Sequence, residues 1–342
     1  MQVNTIGLDI AKNVFAVHGV DDAGQAVLRR QLRRGAVLGF FAGLEPCLVG
    51  IEACCTAHHW ARELAGLGHE VRLLPPSYVK AYVKRGKNDA VDAEAICEAV
   101  TRPSMRFVPV KSAARQAALV PHRVREMLIR QRTMLINTLR GQMAEFGVVA
   151  AKGRHKVADL VAVLGDAGEA RVPAPARIML LELAGAIAAL EPRIGRTQKA
   201  MAAAVRRDPV ARLLTTIPGV GPITASAMTA AVGDPGRFRN GRHFAAWLGL
   251  VAKQNSSGGK PRLGRISKMG DRYLRKLLVL GATSSLRQAR RGQTPLAAWT
   301  RRLLERRPPR LVTVALANKT ARIVWALMAH GEAYRPEAAA AV

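Results

Sequence analysis

The first hundred residues alternate apolar and polar positions in short bursts. "VNTIGLDI" and "VFAVHGVD" are β-rich runs separated only by "AKN", and "AVLRRQL" follows as a third, so an antiparallel meander is predicted. A helical stretch at "AVLGFFAGL" leads into the apolar run "CLVGIEA", which suits a buried strand; "AHHWARELAGLG" is helical again and "EVRLLPP" is a further strand. The order is βββαβαβα, and its last helix carries "KNDAVDAEAI".

From about Lys111 to Gly147 the period lengthens to that of a helix. Val124, Met127, Leu128, Leu135, Leu139, Met143 and Phe146 make its apolar stripe, and Arg115, Arg123, Arg125, Arg130, Arg132 and Arg140 occupy the other faces. After a "KGRHK" connection, "IMLLELAGAIAALEPRIGRTQKAMAAAV" predicts a second long helix, so the middle reads as a helical hairpin or coiled-coil-like arm, either a plain linker or a dimerisation element. From about Asp208 the chain is helical and basic. It opens on "TTIPGVGPITASAM", an apolar–Pro–Gly–apolar–Gly hairpin feeding a helix, where Gly219 and Gly221 are positioned to offer backbone N–H groups to a phosphate. The expected divisions are 1–106 (α/β), 107–207 (arm), 208–333 (helical) and a disordered tail, 334–342.

Composition narrows the partners. Lys and Arg number 53 against 24 Asp and Glu, a formal charge of +29 spread along the 342 residues, so a polyanion contacted over a wide area is expected, nucleic acid first. No uninterrupted apolar run of membrane-spanning length and no basic-then-apolar leader is present, which predicts an intracellular protein without membrane contact. Cys47, Cys54, Cys55 and Cys97 form no CxxC pair, so they are expected to be reduced and structural, with no zinc site at Cys54, Cys55, His58 and His59.

In so basic a chain the few acids are informative. Asp89 and Asp92 are three apart and share a helical face, fit either to cap the helix or to grip a divalent cation. Asp9 in "IGLDIA" and Glu52 in "VGIEA" each follow an apolar strand, where a carboxylate is costly unless paired or metal-bound. Together the four make a set able to hold Mg²⁺, one ion or two, for phosphoryl transfer, and Lys84, Arg85 and Lys87 stand near to draw in a phosphodiester. In the order Asp, Glu, Asp, Asp on βββαβαβα they resemble the RNase H-like fold of the RuvC Holliday-junction resolvase.

A second constellation is "GLVAKQNSSGGKPRLGRISKMGDRYLRKLL", residues 249–278. Lys253, Lys260, Arg262, Arg265, Lys268, Arg272, Arg275 and Lys276 crowd around its serines, with Asp271 alone in opposition. A solvated basic loop is one reading; a serine on a flexible loop, activated by cations that bind DNA phosphate, is the other. The residues alone leave Ser256, Ser257 and Ser267 open as nucleophile.

With "IGLDIAKN", "IEACCTAHHWA", "KNDAVDAEAI", "IPGVGPITA" and "FAAWLGLVAKQNSSGGKPRLGRISKMGDRYLRKLL" in this order, nearly the whole chain resembles the DEDD-type transposases of bacterial insertion sequences, relatives of the Piv invertase and described as bridge-RNA-guided recombinases. The resemblance implies a Mg²⁺-binding tetrad of Asp9, Glu52, Asp89 and Asp92. It implies Ser257, in the place directly before a glycine, as a nucleophile that forms a 5′-phosphoserine link. It also implies donor and target DNA, a structured bridge RNA that supplies specificity, composite sites in a dimer or tetramer, and a bacterial cytoplasmic, nucleoid-associated setting. The competing readings are a RuvC-like nuclease that uses water, and a non-catalytic architectural nucleic-acid-binding protein.

Overall fold

The computed structural model describes residues 2–84, 86, 88–289 and 291–336. The chain forms two compact units, Met1–Gln116 and Ala117–Val342. Arg85, Lys87 and most of the C-terminal tail lie outside the described residues.

The first unit contains β1 (Thr5–Ile10), β2 (Val14–Val20), β3 (Ala26–Arg33), α1 (Val37–Ala42), β4 (Leu48–Glu52), α2 (Ala57–Gly66), β5 (Glu70–Leu74), the short α3 (Pro76–Val79) and α4 (Asp89–Val100). The predicted meander is present. β1, β2 and β3 pair antiparallel, β4 and β5 add parallel on the far side of β1, and the sheet order is β3-β2-β1-β4-β5. Because side chains alternate between faces, Ile6, Leu8, Phe15, Val17, Val49 and Ile51 point to one side, where Phe41 of α1 and Trp60 and Leu64 of α2 bury them. The opposite face is unusually bare. Gly7 and Gly50 are register partners on β1 and β4, and α4 lies directly over them. A Cβ on Gly7 would sit 2.0 Å from the Ala93 carbonyl oxygen, and one on Gly50 would sit 2.8 Å from Val100, so the two glycines set how closely α4 approaches the sheet.

Among its described residues the second unit is helical except for one hairpin. It comprises α5 (Ala113–Glu145, its first residues within unit one), α6 (Val157–Gly165), α7 (Ala174–Arg207), α8 (Pro209–Leu214), α9 (Pro222–Val232), α10 (Gly241–Trp247), strands β6 (Ala252–Gln254) and β7 (Leu263–Ile266), α11 (Arg272–Ala289), α12 (Pro295–Leu304) and α13 (Pro309–His330). The two long helices expected from the pattern are α5 and α7. Leu128 packs with Leu190 and Ile194, while Leu139 and Met143 meet Leu180 and Ile187. This pairing fixes an antiparallel hairpin, and α6, which the "KGRHK" connection did not disclose, adds Val157, Leu160 and Leu164 to it. The predicted α5 stripe is buried only in part, since Val124 (38%) and Met127 (48%) are exposed. Some of the arginines are internal fasteners: Arg132 donates to both carboxylate oxygens of Glu191 (3.1 and 3.0 Å), and Arg140 to the carbonyls of Ala150, Ala151 and Gly153.

The remaining core gathers Leu214, Met228, Phe244, Leu248, Leu278, Leu316 and Val324 from α8 to α13. α13 has the length and mean hydropathy (1.3) of a membrane span, but 56% of that stretch is buried inside the unit, as in a core helix.

Candidate active site

The carboxylates are brought together by strand parity. Gly7 and Gly50 are neighbours on parallel strands, and Asp9 and Glu52 each lie two residues further on, so both project from the α4 face at the same end of adjacent strands. α4 crosses that face with Ala93 above Gly7 and Val100 above Gly50, which leaves its first turn, and thus Asp89 and Asp92, at the β1 side near Asp9.

The electrostatics register this gathering. The Asp9 carboxyl is pushed up to about 6, first by burial and then by the negative charges of Asp92, Asp89 and Glu52. The carboxylates of Asp89 and Asp92 form no hydrogen bond or ion pair among the described residues. Nor does Asp89 cap the helix, as one sequence reading allowed. Asn88 does so, its side-chain oxygen accepting from the Val91 N–H at 2.9 Å.

Oxygen-only carboxylate donors suit a hard cation such as Mg²⁺, and their mutual repulsion is relieved by a bound cation or a proton. The fit is one of donor type and charge. Among the described residues no three acid, histidine or cysteine groups close on a common point at ligand distance, so the tetrad is gathered but open. Cys54 and Cys55, just past Glu52, are exposed, contrary to the structural role expected of them, whereas Cys47 and Cys97 are buried.

Lys84 is held in an ion pair with Glu94 at 3.0 Å. Arg85 and Lys87, expected beside it on the phosphate path, lie outside the described residues.

In the second unit the serine segment is a β-hairpin where a flexible loop was expected. β6 and β7 pair antiparallel, and the tip runs Ser257-Gly258-Gly259-Lys260, with the Lys260 N–H donating to the Ser257 carbonyl at 3.1 Å. Both central glycines have positive φ (56° and 74°), the conformation a two-residue hairpin turn of this twist requires. The hairpin separates the serines. The Ser256 hydroxyl accepts from the Arg262 N–H at 3.0 Å, and that of Ser267 from the Met269 N–H at 3.4 Å, whereas Ser257 is exposed and its hydroxyl makes no hydrogen bond among the described residues.

The basic residues divide in role. Lys253, Lys260, Arg262, Arg265, Lys268 and Arg272 are exposed or nearly so along the hairpin and the start of α11. Arg275 points inward to donate to the carbonyls of Leu248 (2.9 Å) and Met269 (3.1 Å), and so ties the two ends of the hairpin segment to α11. Lys276 pairs with Glu126 at 3.1 Å. The "IPGVGP" glycines divide likewise. Gly219 (φ 85°) packs on α11, where a Cβ would lie 2.8 Å from the Gly281 carbonyl oxygen; Gly221 stands in open space as N-cap of α9.

Sequence reasoning passed over a buried chain of hydrogen bonds. His122 of α5 is 2% exposed and bonds Tyr273 of α11 through Nδ1 and Ser226 of α9 through Nε2, both at 3.2 Å. Ser226 in turn donates to the Ile223 carbonyl, so it accepts from Nε2–H, and Nδ1 accepts from the tyrosine hydroxyl. Burial pushes the imidazole down to about 4, keeping it neutral. Its only sequence signal was a histidine on the predicted long helix.

Comparison with known proteins gives concordant results. Residues 211–296 match the family model described as "Transposase IS116/IS110/IS902 family", and residues 6–147 match a "Transposase" model for DEDD proteins of the IS110 kind. The chain is 52% identical to a "Probable family 20 transposase" of Pseudomonas aeruginosa, over 98% of this chain and 100% of that protein. It is 37% identical to the "Transposase for insertion sequence element IS1328" of Yersinia enterocolitica (97% and 98% covered) and 37% identical to that for IS1111A of Coxiella burnetii (97% and 92%).

Proposed function

The chain belongs to the IS116/IS110/IS902 family of transposases, and from that premise we propose that it cuts and rejoins DNA through a covalent 5′-phosphoserine link made by Ser257. The observation that supports the reading is the Asp9 carboxyl, raised to about 6 by burial first and then by the three carboxylates gathered near it, in a chain of net charge +29. Such a concentration of like charge is costly in a purely structural role and useful where a divalent cation meets a phosphodiester.

In this reading Asp9, Glu52, Asp89 and Asp92 would hold Mg²⁺, one ion or two, which supplies neutralisation of charge building on the phosphoryl oxygens. The Ser257 oxygen forms the bond to phosphorus and loses its proton, the bond to the 3′ oxygen breaks, and that oxygen departs as a hydroxyl. Three features support Ser257 over its neighbours: an exposed position, a hydroxyl free of hydrogen bonds among the described residues, and a turn whose glycines allow close approach to DNA. Lys253, Lys260, Arg262, Arg265, Lys268 and Arg272 would contact phosphates around it.

The remaining assignments extend the same proposal. A bridge RNA supplies target choice, the α5–α7 hairpin serves as a coiled-coil-like arm in a dimer or tetramer, and tetrad and serine meet as composite sites in the bacterial cytoplasm at the nucleoid. Charge-neutral substitutions test the tetrad: Asp9→Asn, Glu52→Gln and Asp92→Asn should each abolish strand cleavage in Mg²⁺ while leaving DNA affinity within about threefold, since removing an anion does not cost phosphate contacts. Cleavage at wild-type rate by Asp92→Asn would sink the assignment.

A further inference from the structure

A cavity of about 390 Å³ opens in the first unit on the same sheet face as the tetrad. Ala16, which lines its floor, is the register partner of Asp9 on the neighbouring strand. Its far wall is β3, with Arg29 and Gln31, and its roof is the side of α4 that bears Val91 and Glu94, next to the turn holding Asp89 and Asp92. The cavity floor therefore begins on the strand next to Asp9, about one strand spacing, roughly 4.8 Å, away.

Two polar side chains there make no hydrogen bond to the protein among the described residues. His18 is only 6% exposed and lines the cavity, and its imidazole makes no hydrogen bond among the described residues. The ring opens onto the cavity, so a ligand there can take up a donor and an acceptor that solvent otherwise fills. Burial keeps it neutral, with Glu94, Arg29 and Lys84 as the charges facing it, and a neutral imidazole presents one donor and one acceptor. Arg29, the register partner of His18, is exposed at the rim, and its guanidinium likewise makes no hydrogen bond or ion pair among the described residues. Glu94 is already neutralised by Lys84, so the cavity does not repel an anion at its mouth.

We infer that this cavity is a nucleotide subsite, taking one nucleotide of the DNA strand whose phosphodiester reaches the tetrad. The base lies against Ala16 and Val91, its polar edge meets His18 and Gln31, and the phosphate sits on Arg29. The size, the small apolar floor and the few convergent polar groups are those of a site for a small planar ligand, and a guanidinium is suited to a phosphate. The assignment rests on the tetrad acting on a phosphodiester; the subsite adds a preference for what lies beside it.

The test places 2-aminopurine at one position at a time on either side of the cut in donor DNA. Fluorescence is read in EDTA with the full-length protein and its element's RNA. One position should change its emission by about twofold or more with wild type, and the change should collapse in Arg29→Ala, Gln31→Ala and His18→Ala. The first two alter exposed residues and leave the fold intact. An abasic site at that position should slow cleavage in Mg²⁺ about tenfold for wild type, the loss of one to two polar contacts, and less than twofold for Gln31→Ala. Silence at every DNA position, a response that survives Arg29→Ala and Gln31→Ala, or a response only when the probe is in the RNA would overturn the subsite. The emission is read without turnover. Normal cleavage with silent probes therefore defeats the subsite alone, whereas a responsive probe in a protein that never cuts defeats the proposed function alone.

Discussion

Replacing Gly7 by alanine tests how the tetrad is assembled. The added Cβ would lie 2.0 Å from the Ala93 carbonyl oxygen, 2.4 Å from the Cys97 nitrogen and 2.8 Å from the Cys97 Cβ, all on α4. A tolerable carbon–oxygen approach is roughly 3.3 Å, so α4 must lift by about 1.3 Å or the strand must bend away. Overpacking of this kind costs about 1–3 kcal/mol, and with two of the three contacts on backbone atoms the upper end applies. For a unit of this size the thermal midpoint should fall by roughly 10 °C. The larger effect is on chemistry. α4 carries Asp89 and Asp92, and a displacement near 1 Å between reacting groups costs on the order of 100-fold in rate, so cleavage should drop by about that factor even at temperatures where the variant is folded. The control is Gly39→Ala in α1, where an added Cβ meets nothing within 4 Å and stability should hold or rise slightly. The assays are thermal unfolding followed by circular dichroism and a single-turnover cleavage time course at 20 °C. A Gly7→Ala protein with wild-type melting and wild-type rate would refute the argument that the glycine pair sets the tetrad.

His122 should make the second unit acid-sensitive. The unfolded imidazole takes a proton near its ordinary 6.5 while the folded one resists until about 4, so stability is full above 6.5 and is lost as pH falls through that window, by about 3 kcal/mol in all. Urea midpoints at pH 7.5 and 4.5 should show this drop in wild type and a much smaller one in His122→Asn; equal slopes in both would contradict it. Arg275→Ala should destabilise by about 2–3 kcal/mol and slow cleavage more than tenfold, yet leave the salt dependence of DNA binding unchanged, because its guanidinium serves two carbonyls. A salt slope lower by about one would make it a phosphate contact after all. A thiol reagent should titrate Cys54 and Cys55 in the native protein and Cys47 and Cys97 only on unfolding; reaction of all four at once would mean the first unit is not folded as described.

Much of the first unit was legible because its signals are local. Strands of five to eight residues with period two, broken by short polar turns, specify the meander and the two parallel strands that follow. Asp9 and Glu52 stood out for the same reason, as acids at the ends of apolar runs. The means of bringing them under α4 was not legible, because Gly7 and Gly50 acquire meaning only once register makes them neighbours. Asn88 outcompeted Asp89 as cap because its backbone is extended (φ −151°) while Asp89 is already helical, a distinction of backbone angle that composition does not carry. In the second unit, Arg275 and the free basic residues of the hairpin are alike in sequence, and only the fold turns one inward to the carbonyls of Leu248 and Met269. Val124 and Met127 fell outside the buried seam because a stripe read from seven positions is wider than the line of contact two helices make.

The most direct test of the central claim is a denaturing gel of the full-length protein with its element's RNA, Mg²⁺ and end-labelled donor and target DNA, comparing wild type with Ser257→Ala, Ser256→Ala and Asp92→Ala. The account predicts a protein–DNA adduct in wild type and Ser256→Ala, and none in Ser257→Ala or Asp92→Ala. Cleavage without any adduct, unchanged in Ser257→Ala and lost in Asp92→Ala, would contradict it and make the protein a nuclease that uses water.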